Sequence, residues 1–210
     1  MISFIIKLME NKINEEEYLL IKKYALSRMA KSTNPAHNDS HVRRVKNNAL
    51  KIIRLLDIDS EVDRNLLKTI CLLHDFTYTI RQPSLYTYIF EGHLERRIIR
   101  LVLEKFDMPP QTKETIVNAV YRHAHSFPFR RLNKKHDIYT KILQDADTLD
   151  FFNCLRIKMY ISEHDKGIFK NTRKFLGSKF IEYGINNLGK FLNYPKLAKS
   201  FFLDSTENCF

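Results

Sequence analysis

An all-α helical bundle is the fold class this sequence predicts, and three observations predict it. Apolar residues recur at spacings of three and four along much of the chain, the pattern of helices that bury one stripe. Hydrophobic residues make up 44% and charged residues 28% of 210 positions, with only 5 Gly and 6 Pro to interrupt them, the balance of a compact helical globule. Turn-forming clusters such as Ser32-Thr33-Asn34-Pro35 and Pro109-Pro110 fall between the periodic segments, where they end helices rather than break them. A chain of this length can bury a sizeable core in one domain.

The elements follow in order. Residues from about Asn14 to Lys31 carry Leu19, Leu20, Tyr24 and Met29 between charges, a first helix. Asp39 and Ser40 offer the N-cap of a second, whose stripe is Val42, Val45, Ala49, Ile52, Ile53 and Leu56. His41 lies one turn before Val45 and shares that stripe; Arg44, three residues on, leans over the same spot. A third helix runs from about Val62 to Phe76, with Leu66, Ile70, Leu73 and His74 on one side and Asp75 following Cys71 on the adjoining one. Thr77 to Tyr88 is irregular and aromatic and leaves the His-Asp helix directly, so it borders whatever site forms there, with Tyr78 a candidate contact to substrate. A fourth helix, about Phe90 to Phe106, is expected to bury Leu94, Ile98, Leu101 and Val102 and carries His93 near its start. After Pro109-Pro110, Thr112 can cap a fifth, where Ile116, Val120 and His123 recur at four and three.

The stretch from Ser126 to His136 is basic and aromatic, a candidate lid or phosphate-gathering loop. Beyond it, a helix from about Ile138 to Ile161 sets Leu143, Asp147, Asp150 or Phe151, and Cys154 along one stripe. Two further amphipathic segments, near Lys170–Asn186 and Leu188–Phe202, close the chain.

Charge and cysteine usage bound the setting. The net charge is +11, and from Lys166 to Lys199 eight basic residues face the single acid Glu182; such a surface attracts phosphate-bearing ligands. Cys71, Cys154 and Cys209 are odd in number and lack C-x-x-C spacing, which argues against a disulfide framework or zinc ribbon and for a reducing compartment. The apolar start Met1 to Ile6 breaks at Lys7 without a small-residue cleavage site, and no stretch approaches the ~20 apolar residues of a membrane span. A cytoplasmic protein with no membrane partner is expected.

The chemistry centres on Leu72-Leu73-His74-Asp75. Burying an unpartnered polar group costs roughly 2–7 kcal/mol, so an imidazole and a carboxylate at the end of an apolar run need cations, hydrogen bonds or a metal. His41, His93, His123 and Asp147 supply the remainder of a shell at a distance, giving the order His, His-Asp, His, His, Asp. Two histidines and two carboxylates suit a borderline or hard divalent ion such as Mn²⁺, Fe²⁺, Ni²⁺ or Mg²⁺, and the absence of cysteine from the pattern argues against structural zinc.

That order, with Ser40-His41-Val42-Arg43-Arg44-Val45, Leu72-Leu73-His74-Asp75, Glu91-Gly92-His93, Arg122-His123 and Gln144-Asp145-Ala146-Asp147-Thr148-Leu149-Asp150, resembles the HD superfamily of metal-dependent phosphohydrolases, in particular its small stand-alone members. The likeness runs from about His41 to Cys154. It implies a helical bundle with the metal site between helices, residues 1–165 forming the HD domain with its N-terminal helix and 166–210 a helical extension packed on it. It further implies that His41, His74, Asp75 and Asp147 ligate the metal. Asp145 competes with Asp147 for the last place, and Asp145 and Asp150 otherwise back the ligands or sit on the helix surface. In the mechanism this implies, Asp75 or a nearby carboxylate takes the proton of the attacking water, His93 and His123 serve the phosphoryl and leaving groups, and Arg44 and Arg122 are candidates for holding phosphate. His37, His125, His136 and His164 lie outside the pattern and are read as loop or surface residues.

Departures narrow the substrate. Tyr78 stands where the deoxynucleoside monophosphatase branch carries Glu, no acid occurs between Asp75 and Glu91 where guanosine tetraphosphate hydrolases have a pair, and the Gly-Tyr-Pro signature of cyclic-dinucleotide phosphodiesterases is missing. The expectation is a phosphohydrolase for a small phosphorylated, nucleotide-like substrate. Two alternatives stand beside it. With His93 and His123 the six residues also resemble the dinuclear shell of HD-type di-iron oxygenases, and the basic tail with Phe175, Phe180, Tyr183, Phe191 and Tyr194 fits a non-catalytic nucleotide or nucleic-acid binder.

Overall fold

The computed structural model describes residues 12–32, 34, 36–82, 84–123, 136–153, 155–158 and 170–205, without the side chains of 85, 88, 170–176 and 202–205. Among the described residues the chain is helical with no strand, as its periodicity predicts. No helix there is long and apolar enough to cross a membrane.

Caps set where the helices begin. Asn14 starts α1 (Glu15–Met29) with a capping box: its side chain accepts from the Glu17 N–H while the Glu17 carboxylate accepts from the Asn14 N–H, satisfying two otherwise orphaned donors. α1 buries Tyr18, Ile21, Ala25 and Met29, and Leu19 and Leu20 face solvent. α2 (Asp39–Leu56) is capped by Asn38, which accepts from the Ser40 and His41 N–H groups; the cap therefore sits one residue before Asp39. Its inward face is His41, Val42, Val45, Ala49, Ile52 and Ile53, and it ends at Asp57, whose φ of 57° is the left-handed turn that closes helices.

After a 3₁₀ turn at Asp59–Glu61, Asp63 caps α3 (Arg64–Leu73) through the Leu66 N–H. α3 stops at Leu73, three residues short of the expected Phe76, so His74 and Asp75 occupy the turn into a second 3₁₀ segment, Phe76–Thr79. The aromatic stretch beyond is not wholly irregular: α4 (Leu85–Ile89) forms there, capped by Ser84. α5 (Glu91–Leu103) buries Gly92, Glu95, Ile99, Val102 and Leu103. Leu101 is 66% exposed, so α5 is rotated by about one residue from the predicted Leu94/Ile98/Leu101 face. α6 (Pro110–His123) takes Pro110 as its first residue, a position where the missing N–H costs nothing, so Thr112 lies inside the helix instead of capping it. α7 (Ile138–Phe151) is capped by Asp137. α8 (Lys170–Asn186), α9 (Leu188–Phe191) and α10 (Leu197–Ser205) complete the chain.

α3 is the central element, in contact with α1, α2, α6 and α7; α2 also packs along α7, and α5 along α6. Leu66, Leu67, Ile70, Cys71, Leu72 and Leu73 of α3 are all at most 1% exposed, and burying one large aliphatic side chain is worth about 1.5–3 kcal/mol. From the C-terminal region Ile181, Leu188, Leu192 and Leu197 join the same core. Because the Asn38 side chain holds two N–H groups at the α2 start, Asn38→Ala should cost about 1 kcal/mol in urea unfolding, against a few tenths for Asp39→Ala; equal effects would place the cap elsewhere.

Candidate metal centre

Three helix ends bring the candidate residues together. His41 lies in the first turn of α2, His74 closes α3 and His123 closes α6. The carbonyls of a last helical turn have no partner within the helix, and both terminal histidines use one. His74 Nδ1 is 2.9 Å from the Cys71 carbonyl and His123 Nδ1 2.5 Å from that of Val120. A carbonyl only accepts, so both rings carry hydrogen on Nδ1 and turn Nε2 outward. His41 Nδ1 lies between Asp150 Oδ2 at 2.7 Å, which only accepts, and Arg156 Nη1 at 2.8 Å, which only donates. Asp150 is fully buried and is gripped by the Arg44 fork, Nε at 2.6 Å and Nη2 at 3.2 Å.

His41 Nε2 and His74 Nε2 face each other 3.1 Å apart, and His74 presents its lone pair there. Asp75 Oδ2 is 2.9 Å from His41 Nε2 and 3.4 Å from His74 Nε2; Asp147 Oδ1 is 3.5 and 3.9 Å from the same two atoms. Four electron-rich atoms around one point, all on side chains buried or nearly so, are compatible only with a proton or a cation between them. Three overlapping groups meet the spacing a metal ion needs: His41, His74 and Asp147; His74, Asp75 and His123; and His37, His41 and Asp75. The donor set is imidazole and carboxylate, which suits a divalent ion of the borderline or hard class. Each ring is held through its other nitrogen, the arrangement that orients metal-ligating histidines. Cys71, at the back of α3, is no competitor, since burial pushes its thiol up.

The charges are strongly coupled. Burial drives His74 down to about 4. Burial alone would raise Asp75, but His37, His74 and His123 hold its carboxyl well below the usual range. For His123 burial is outweighed by the hydrogen bond to Asp75, 3.5 Å from Nε2 to Oδ1, and by the charge of Glu91, and the ring is held up at about 10. Burial and Arg156 lower His41, whereas Asp150 and Asp75 raise it and prevail.

The other predicted residues are placed differently. His93 does not join the cluster: it stands on the exposed side of α5 with its ring against Tyr121, 5.3 Å between centroids, because the helix turns Gly92 and Glu95 inward. Arg44 is committed to Asp150 and Ser40, behind the ligands. Arg122 is half-buried next to His123, and its carbonyl accepts from Gln144. Tyr78 is fully buried, its hydroxyl donating to Glu91 at 2.8 Å and its ring 4.6 Å from His37, so it braces the site from within. Asp145 points to the C-terminal region, accepting from the Asn193 and Tyr194 N–H groups, which leaves Asp147 as the carboxylate beside the imidazoles. The Ser126–Lys135 part of the candidate lid, together with Cys154, His125 and His164, lies outside the described residues.

Four residues in or beside the cluster escaped the sequence reading. His37, taken as a loop residue, puts Nδ1 2.5 Å from Asp75 Oδ2; its spacing of four from His41 was the available signal. Glu91 and Glu95, also four apart, share the inward face of α5, and burial pushes Glu91 up to about 7. Arg156 reaches His37, His41 and Asp150, and nothing in its local sequence marks it.

The family model described as HD domain matches residues 38–151, a span that holds His41, His74, Asp75, His123 and Asp147 and leaves His37 and Arg156 just outside. The comparisons with curated proteins and with solved structures give no match.

Glu95 offers a test of this electrostatic layout. It is fully buried, Oε1 accepts from the Thr77 N–H at 2.7 Å, and Oε2 has no hydrogen-bond partner among the described residues. Burial, then the charge of Asp75, raise its pKa well above 4.5. The folded chain thus keeps a proton the unfolded chain releases, so the stability it contributes is present below the unfolded pKa and lost as pH rises toward the folded one. Glu95→Gln keeps the acceptor and removes the titration. It should raise Tm by about 2–4 °C at pH 8, on the order of 1 kcal/mol, with the gain vanishing near the unfolded pKa; a gain independent of pH would refute the assignment.

Proposed function

The chain belongs to the HD-domain family, a superfamily of metal-dependent phosphohydrolases, and from that premise we propose that it hydrolyses a small phosphorylated substrate of the nucleotide class at the His41–His74–Asp75–Asp147 centre. The observation that carries the reading is the facing pair of Nε2 atoms 3.1 Å apart, flanked by the two carboxylates. When bound there, a divalent ion supplies Lewis acidity toward a phosphoryl oxygen and acidifies water.

The side chains supply the rest. Asp75, kept ionised by three imidazoles, accepts the proton of the attacking water; His37 Nδ1 lies 2.5 Å from its Oδ2 and His123 Nε2 3.5 Å from its Oδ1. His123, kept protonated by Asp75 and Glu91, is the donor for the leaving oxygen, with Nδ1 fixed on the Val120 carbonyl so that only Nε2–H faces the site. Arg122, one residue away, remains the candidate for an outer phosphate oxygen. Support for a nucleotide comes from the end of α4, beyond the 3₁₀ segment that follows the His-Asp turn: Tyr86 is 57% and Phe90 44% exposed, their rings 4.8 Å apart, an apolar surface on which a base can stack. The dinuclear oxygenase alternative drew on His93, which is exposed on α5 with its ring against Tyr121 and does not join the His/Asp cluster.

Metal-loaded protein should carry one ion per chain by elemental analysis and release phosphate from at least one nucleotide, with chelation abolishing the activity and Mn²⁺ restoring it. Asp75→Ala should lower phosphate release at least about 10³-fold, whereas His93→Ala should change it less than about threefold. Activity untouched by Asp75→Ala defeats the mechanism.

A further inference from the structure

Arg156 lies on the short helical stretch 155–158, past the segment the family model covers. It is 8% exposed, and its guanidinium enters the site between His37 and His41. Nη2 donates to His37 Nε2 at 3.1 Å. Nη1 lies 2.8 Å from His41 Nδ1 and 3.5 Å from His41 Nε2, donates to Asp150 Oδ2 at 3.3 Å and lies 3.7 Å from Asp147 Oδ1. A guanidinium has no acceptor, so His37 Nε2 must accept and His37 Nδ1 must carry the proton it offers to Asp75. His37 therefore acts as a strut that sets Arg156 on one side and Asp75 on the other.

The charges around Arg156 do not cancel once an ion is present. Asp75 and Asp147 balance a divalent cation, Glu91 is set against the His123 ring, and Asp150 is one carboxylate shared by two guanidinium groups, the Arg44 fork and Arg156. Two arginines on one carboxylate leave one positive charge in excess, with Arg156 next to two atoms that would hold the ion. An uncompensated charge in such a place is costly, and a phosphoryl oxygen is the partner a guanidinium fork fits best.

We propose that Arg156 is the anion-binding group of this site, taking an oxygen of the substrate's phosphoryl group, and of the inorganic phosphate released, beside the ion. The assignment rests on the hydrolase reading above but can fail separately from it. It adds a binding residue from outside the HD segment and makes the stretch after α7 part of the substrate pocket.

The probe is inorganic phosphate, titrated calorimetrically into the full-length protein with and without Mn²⁺, for the native chain, Arg156→Met and Arg156→Lys; Mn²⁺ affinity and thermal unfolding are measured for each. In Arg156→Met, phosphate affinity should fall at least about tenfold while Mn²⁺ affinity holds or rises, because a positive neighbour has been removed. Arg156→Lys, which keeps the charge but loses the fork, should bind phosphate several-fold more weakly and Mn²⁺ unchanged, and it decides the matter if the Met chain does not fold. Phosphate affinity unchanged in both variants, parallel loss of Mn²⁺ and phosphate binding in Arg156→Lys, or a native chain that binds no phosphate in either state overturns the assignment. Arg156-dependent phosphate binding without hydrolysis of any nucleotide would discard the hydrolase reading and leave the anion site; hydrolysis with Arg156-independent phosphate binding would do the reverse.

Discussion

Two buried imidazole nitrogens facing each other at 3.1 Å repel unless something positive lies between them, and much of the architecture exists to hold them there. The rings cannot turn away, because each is fastened through Nδ1 to an acceptor that cannot reciprocate. For His74 and His123 that acceptor is a carbonyl of the same helix, three residues back. α3 and α6 thus end at the site, and the negative ends of their dipoles favour positive charge there. Placing α3 at the centre of the bundle makes this possible: the helix bearing His74 is packed on by those bearing His41, His123 and Asp147.

The carboxylates answer the same constraint. Asp75 lies within 3.5 Å of His37, His41, His74 and His123, and Asp150 is shared among His41, Arg44 and Arg156. Removing one partner from such a buried set strands a charge at a cost of about 3–5 kcal/mol, far more than a surface pair such as Arg100 with Glu114 contributes. Stability and chemistry are therefore bound to the same side chains. Asp150 in particular is both an anchor of the fold across α2 and α7 and a group that holds the His41 ring in place.

Legibility varied along the chain for identifiable reasons. The stripe of α2 was plain because Val42, Val45, Ala49, Ile52 and Ile53 leave one register open. In α5 two stripes one residue apart both looked apolar, and the true one contains Gly92 and Glu95, which a hydrophobic pattern cannot favour. That rotation is what carries His93 out to solvent and Glu91 and Glu95 inward. The early end of α3 was also hidden, since Leu72, Leu73 and Phe76 continue its apolar run; only the geometry shows that His74 and Asp75 lie in a turn.

The sequence by itself determined the helical class, the order of the helices and the residues able to hold a cation, because periodicity and residue chemistry are local properties that survive without coordinates. Only the tertiary structure decided which nitrogen of each histidine faces the site, that Asp147 rather than Asp145 stands beside them, and that His37 and Arg156 belong there. Those choices depend on contacts between residues more than a hundred positions apart, such as His41 with Asp150 and Arg156 with His37. Such contacts exist only once the helices have packed.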